Sequence, residues 1–304
     1  MNLHENKSTF EQYIIAAADF WGISNTDIVE KDYFVTYFLK LISAVQQNVI
    51  LKGGTSLSKC HKIIRRFSED VDLNIDTDAE KLSQSQRKLL KQDIVHIIDT
   101  AGFVLENPEH VRSRRDFNRY VINYGSNGSS DGLKQYIIVE TSVFIKSFPS
   151  EVMDATCIIH DFLVANNALG EIDQYAIHPF KIRVQSIERT FIDKVFALSD
   201  YFLEGATETH SRHIYDLYKI YPKILFDTNF TGLINEVREL RKPHKKSISA
   251  QEGVDIPELL RNIAKTDVFR SDYDQITSLL LFEDVAYNEA IEVLEKIADN
   301  GAFS

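Results

Sequence analysis

Between residues 48 and 75 the chain sets out a short apolar strand, a Gly53-Gly54 pair, a helical stretch and a second strand of alternating character. Val71, Leu73 and Ile75 fall on one face of that second strand and Asp72 and Asn74 on the other, because successive strand side chains point to opposite faces. Asp70, two residues before Asp72, shares the acidic face. A strand that ends on two glycines can turn sharply into a helix, whose first N–H groups and partial positive charge are then open to an anion. This part of the chain is therefore committed to a sheet, with a helix leaving one strand and a turn returning to another.

The surrounding pattern extends that reading. Helical spacing of apolar residues predicts helices over 10–21 and 25–45 before the unit and over 84–100 after it. Strands are expected over 120–124 and 136–145, joined as a hairpin by the turn-forming string 125–132, with further strands over 156–159 and 181–184. Beyond Ser186 the pattern is helical, with helices expected near 187–203, 212–221, 234–240, 257–264 and 283–298. The fold class expected is α+β, with a mixed sheet flanked by helices over 1–185 and an α-helical domain over 186–304.

A chain of 304 residues with 44% hydrophobic and 26% charged residues has the composition of an ordinary globular protein. Its start lacks the basic and apolar segments of a secretory signal, and its apolar runs are too short to span a bilayer. Cys60 and Cys157 are two isolated thiols that suit a reducing compartment, so a cytoplasmic protein with no membrane association is expected. The net charge of −11 argues against indiscriminate binding to nucleic acid. Positive charge is confined to local clusters: Lys59 through Arg66; Arg112, Arg114, Arg115 and Arg119; and Arg238, Arg241, Lys242, Lys245 and Lys246.

Gly53, Gly54, Thr55 and Ser56 form a turn that suits phosphate oxygens, through close backbone approach, small hydroxyls and the helix start. It is not a P-loop, because Ser58 stands where that motif requires glycine before Lys59. Asp70 and Asp72 offer hard oxygen ligands, for which Mg²⁺ is the fitting cation, and phosphoryl transfer is the chemistry such a pair supports. Glu140, an acid within the apolar run of 136–143, is the candidate third ligand, since an isolated acid in such a strand is costly unless paired or metal-bound.

These residues resemble the AbiEii/AbiGii-type nucleotidyltransferase toxins, relatives of the MenT toxins and distant members of the polymerase-β-like nucleotidyltransferases. Four stretches carry the likeness. Gly53-Gly54-Thr55-Ser56 leading to Arg66-Phe67-Ser68-Glu69-Asp70-Val71-Asp72-Leu73 is similar to the family's glycine and D-x-D motif. Val29-Glu30-Lys31-Asp32-Tyr33-Phe34-Val35-Thr36 resembles an element that precedes it. The helix Glu188 to Leu198 looks like the family's lysine helix, and Arg212-His213-Ile214-Tyr215-Asp216-Leu217 resembles its R-[DH]-x-Y-D-L element, with His213 where many relatives carry an acid.

The resemblance implies a nucleotidyltransferase-like sheet domain and a helical domain that contributes Lys194 and Asp216 to the site. Asp70 and Asp72 would be catalytic and would bind Mg²⁺, with Glu140 joining them by the strand argument above. Apart from the resemblance, the residues themselves suggest that Gly53, Gly54, Thr55, Ser56, Lys59 and Arg66 would meet the nucleotide, while Glu30, Lys31 and Asp32 read either as a charged helix turn or as support behind the site. The activity implied is NMP transfer from an NTP to an RNA acceptor such as the tRNA 3′ end, by a toxin with a cognate antitoxin. The rival expectations are a metal-dependent nuclease, a kinase-like phosphotransferase, and a non-catalytic nucleotide or RNA binder.

Overall fold

A computed structural model of the chain describes residues 1–76, 82–113, 115–125, 136–143 and 146–304. These fall into two compact units, Met1–Lys62 with Phe67–Gln185, and Ile63–Arg66 with Ser186–Ser304. No helix among the described residues is long and apolar enough to cross a membrane.

The first unit is built on a mixed sheet of seven strands: β1 (Val49–Lys52), β2 (Asp70–Ile75), β3 (Val104–Leu105), β4 (Phe117–Asn123), β5 (Tyr136–Ser142), β6 (Ser150–Ala155) and β7 (Phe180–Gln185). Their order is β3-β4-β5-β2-β1-β7-β6. Pairing is antiparallel for β1 with β2 and parallel for β1 with β7 and β2 with β5. β1 and β2 thus lie inside the sheet, which explains why Val49, Ile50, Leu51, Val71 and Leu73 are all buried, and why Asn74 on the other face of β2 is buried too.

Helices α1 (Lys7–Trp21), α2 (Thr26–Val45), α3 (Gly53–Lys59), α4 (Gln84–Thr100), α5 (Ile158–Ala165) and α6 (Leu169–Gln174) complete this unit. α2 is capped by Asn25, whose side chain accepts the Asp27 N–H. It packs on α1, α4 and α5 and lies against β5 and β7, while α3 lies on β1 and β2. α2 carries an apolar core of Phe34, Val35, Phe38, Leu39 and Ile42, yet its Glu30, Lys31 and Asp32 are buried as well.

Two expected elements differ. The helical stretch expected after the glycine pair stops at Lys59, and Lys62 takes a left-handed φ of 54° that no continuing helix allows. The strand predicted over 156–159 is instead β6, ending at Ala155, followed by α5. Cys157 caps α5, its sulfur accepting the His160 N–H, and the Ile158 N–H is taken by the Asp32 carboxylate. A short apolar run cannot distinguish strand from helix by periodicity, and here the cap decides. The expected β4–β5 pairing is present in register Asn123↔Tyr136, while the turn residues 126–132, the end of the expected strand at 144–145 and Arg114 lie outside the described residues.

The second unit is helical. α7 (Ile187–Glu204) packs on α8 (Arg212–Ile220), α9 (Thr228–Arg241) and α10 (Ile256–Thr266), and the C-terminal helix Tyr287–Asp299 packs on α8 and α10. The short segment 63–66 is tied to this unit by backbone. The Arg65 N–H donates to the Tyr215 hydroxyl at 2.9 Å, the Phe282 N–H donates to the Arg65 carbonyl at 2.8 Å, and Arg66 bridges to Leu281.

Candidate active site

β1 passes directly into α3 at Gly53, which sits at φ +73°, a left-handed value that glycine adopts without steric cost. A Cβ built there would lie 2.5 Å from Asp72 Oδ2. The carboxylate of β2 therefore fills the space that any other residue at position 53 would need. Register explains the approach: Lys52, the last residue of β1, pairs with Asp72. Gly53, Gly54, Asp70 and Asp72 are all half-buried, so the turn and the two acids keep some contact with solvent.

The four residues leading into β2 are each held. Lys31 Nζ meets Glu69 Oε2 at 2.8 Å and stands 5.7 Å over the Phe67 ring. The Thr55 hydroxyl lies 3.1 Å from Ser68 Oγ and donates to the Asp70 carbonyl. Ser56 donates to the Gly53 carbonyl at 2.9 Å. Thr55 and Ser56 are fully buried, and their hydroxyls shape the turn from within.

Lys59 is held in the interior. Its ammonium is buried and donates to Asp32 Oδ1 at 2.6 Å, Thr36 Oγ1 at 2.6 Å and the Asp32 carbonyl at 3.1 Å. An ammonium has three donors, and here all are used inside the protein. Lys59 is a rivet between the end of α3 and the middle of α2.

On the acidic side of the sheet, register lines up four charged residues across four adjacent strands. Lys52 pairs with Asp72, Asp72 with Glu140 and Glu140 with Arg119, in the order β1, β2, β5, β4. Residues paired across strands share a face. Glu140 is half-buried, with Arg119 Nη1 3.6 Å from its carboxylate. Burial, then the negative charges of Asp72 and Asp70, raise the Glu140 carboxyl above its ordinary value, while Arg119 and Lys52 oppose the rise. Three acids thus feel one another, with a cation on either flank. Sequence reasoning left Lys52 out and placed Arg119 in a surface cluster; the signal was the strand pairing, which a linear sequence does not contain.

Among the described residues no three Asp, Glu, His or Cys side chains form a ready-made metal cage. The donors present nevertheless suit Mg²⁺. They are all oxygens, they repel one another as the Glu140 shift shows, and Mg²⁺ typically takes one or two carboxylates together with water and substrate phosphates.

The second unit holds a separate buried cluster. Asp216 on α8 is fully buried and is gripped by Arg66, whose Nε and Nη2 donate to its two oxygens at 2.7 and 2.8 Å, and by Lys194 of α7 at 2.5 Å. Burial alone would raise the Asp216 carboxyl, but Arg66 and Lys194 outweigh it and hold it well below the usual carboxylate range. Lys194 is lowered from the ordinary lysine value, first by burial and then by the guanidinium of Arg66, against the pull of Asp216. Burial, Lys194 and Arg212 likewise push the His213 imidazole well down, so it is neutral at neutral pH. Lys194 and Asp216 are therefore brought together. Arg66 is a partner of Asp216, and its side chain is only 3% exposed.

The third basic cluster is also partly consumed inside its unit. Arg241 pairs with Asp193 and Asp200, and Lys242 with Glu239.

No curated protein matches the chain. A family model described as nucleotidyl transferase AbiEii toxin, type IV TA system, matches residues 38–293, which takes in α3, β2, Glu140, Lys194 and Asp216 and begins just after Glu30, Lys31 and Asp32. The chain belongs to the AbiEii nucleotidyl transferase toxin family of type IV toxin–antitoxin systems.

Proposed function

We propose that the protein transfers a nucleoside monophosphate from an NTP to an RNA acceptor such as the tRNA 3′ end, with pyrophosphate released, and that a cognate antitoxin restrains it. The observation that carries this reading is the Asp72 carboxylate lying in the space of the absent Gly53 side chain, level with Glu140 on the neighbouring strand. Asp70 and Asp72, with Glu140, would hold Mg²⁺, which when bound offsets charge on the transferring phosphoryl group. Gly53 and Gly54 leave the backbone at the start of α3 open to phosphate oxygens, and no side chain caps that start. Lys194 of the second unit would offer positive charge, and Asp216 fixes its direction.

The test is incubation of the protein with NTPs labelled at the α-phosphate, Mg²⁺ and total tRNA, with Asp72→Ala in parallel. Label is expected on RNA with the wild type and lost in the variant. Equal labelling by both refutes the role of Asp72. Label arriving only from the γ-position indicates a kinase, and shortened RNA a nuclease.

A further inference from the structure

We infer that Lys31 of α2 is a positioning residue for the carboxylate strand, acting through Glu69, with its neighbour Asp32 holding the other end of the same loop through Lys59. The inference rests on the reading of Asp70 and Asp72 as the reactive acids. Its residues on α2 precede the part of the chain that the family model matches.

Residues 60–69 leave α3 at Lys59 and rejoin the sheet at Asp70. The two ends of this excursion are fastened to consecutive residues of one helix: Lys59 to Asp32 at 2.6 Å, and Glu69 to Lys31 at 2.8 Å. The anchoring continues on both sides. Asp32 uses its second oxygen to accept the Ile158 N–H at 2.8 Å, which fixes α2 to the start of α5. Lys31 faces Phe67 as well as Glu69, so the residue directly before Asp70 and the one two places earlier are both held from α2.

Stability alone does not call for this design. Lys31 and Lys59 are 0% and 2% exposed, and replacing a buried ion pair by apolar residues of similar volume is often neutral or stabilising. What an ion pair adds over an apolar contact is a fixed direction and distance. Here that geometry sets where β2 starts, and hence how far the Asp72 carboxylate stands from Gly53. An error of 1 Å at a reacting group costs on the order of 100-fold in rate.

Glu69→Gln is the informative variant, because Glu69 is half-exposed and touches no ligand in this reading, so the fold is expected to survive. Expected results are a fall in kcat of about 10- to 100-fold, an NTP KM close to wild type, and recovery of most of the loss in Glu69→Asp. A second readout needs no turnover: Mn²⁺ affinity, measured by electron paramagnetic resonance with a non-hydrolysable NTP present, is expected to fall in Glu69→Gln and recover in Glu69→Asp. Wild-type kcat and Mn²⁺ affinity in Glu69→Gln would overturn the inference, as would a loss that only follows a lowered melting temperature and is not restored by aspartate. If the wild type transfers no α-label, the proposed function fails, and the Mn²⁺ measurement alone decides the positioning role. A wild type that binds no Mn²⁺ sinks both.

Discussion

A Gly53→Ala variant puts a methyl group where the Asp72 carboxylate now lies. The new carbon would stand 2.5 Å from Oδ2, 3.5 Å from Cγ and 3.7 Å from the Asp72 Cβ. Only the terminal oxygen is in conflict. Since a close C···O contact is about 3.3–3.6 Å, that oxygen must retreat by about 1 Å, and rotation of the aspartate side chain achieves this without moving β2. The backbone cost is separate: φ at +73° is left-handed, which costs an L-residue roughly 1–2 kcal/mol. The expected outcome is a folded protein, modestly less stable, whose transfer rate falls on the order of 100-fold, equivalent to about 2.7 kcal/mol of barrier.

Gly205→Ala separates the two contributions. Gly205 has φ +71° at the end of α7, and a Cβ there meets nothing within 4 Å. It incurs the same backbone cost and leaves Asp72 untouched. The assay is α-label transfer to tRNA at saturating Mg²⁺, with thermal melts of both variants. If Gly53→Ala keeps wild-type activity, or loses no more than Gly205→Ala, the argument that the carboxylate depends on this glycine is wrong.

Three other substitutions probe the charge networks. Lys59→Met leaves Asp32 buried without its cation and should destabilise the first unit by about 3–5 kcal/mol, seen as a lower denaturation midpoint whether or not NTP is present. Glu140→Gln removes an acid whose folded pKa is raised, so its ionised form opposes folding above the ordinary glutamate range. The variant is therefore expected to melt slightly higher than wild type in metal-free buffer at pH 7, and to gain less from added Mg²⁺, both read by scanning fluorimetry. Asp216 has a depressed pKa, so its contribution is complete above the unfolded carboxylate value and disappears as pH falls through and below it. Asp216→Asn should melt lower at pH 7 and show a flatter decline than wild type when melts are repeated into acid.

How legible the site was depended on whether it was written in local pattern or in pairing. The alternation of Val71 and Leu73 against Asp72 was visible because a strand's period is two, and the glycine turn was visible because glycine marks where a backbone must bend tightly. Both elements lie where they were expected. The partners of Lys59 and Arg66 were not legible, for one reason. A basic residue near a phosphate-like turn carries the same letter whether its charge faces solvent or an aspartate far away in sequence, Asp32 in one case and Asp216 in the other. The buried bonds of Thr55 and Ser56 were not legible either, because a hydroxyl beside a glycine turn can cap, brace or bind. Lys52 and Arg119 were invisible as a pair, since nothing in sequence aligns residue 52 with residue 119 until β2 and β5 are laid between them.

The same row of residues bears on how an anionic partner arrives. With Asp70 on the same face of β2, three acids stand against two cations, Lys52 and Arg119, and the surrounding chain carries a further excess of negative charge, −11 in total. At low ionic strength, where the Debye length exceeds 10 Å, an RNA acceptor of the kind proposed would approach against this field. Added salt lowers that barrier, so the association rate should climb with ionic strength before specific contacts weaken, the reverse of a basic protein whose grip on nucleic acid salt erodes.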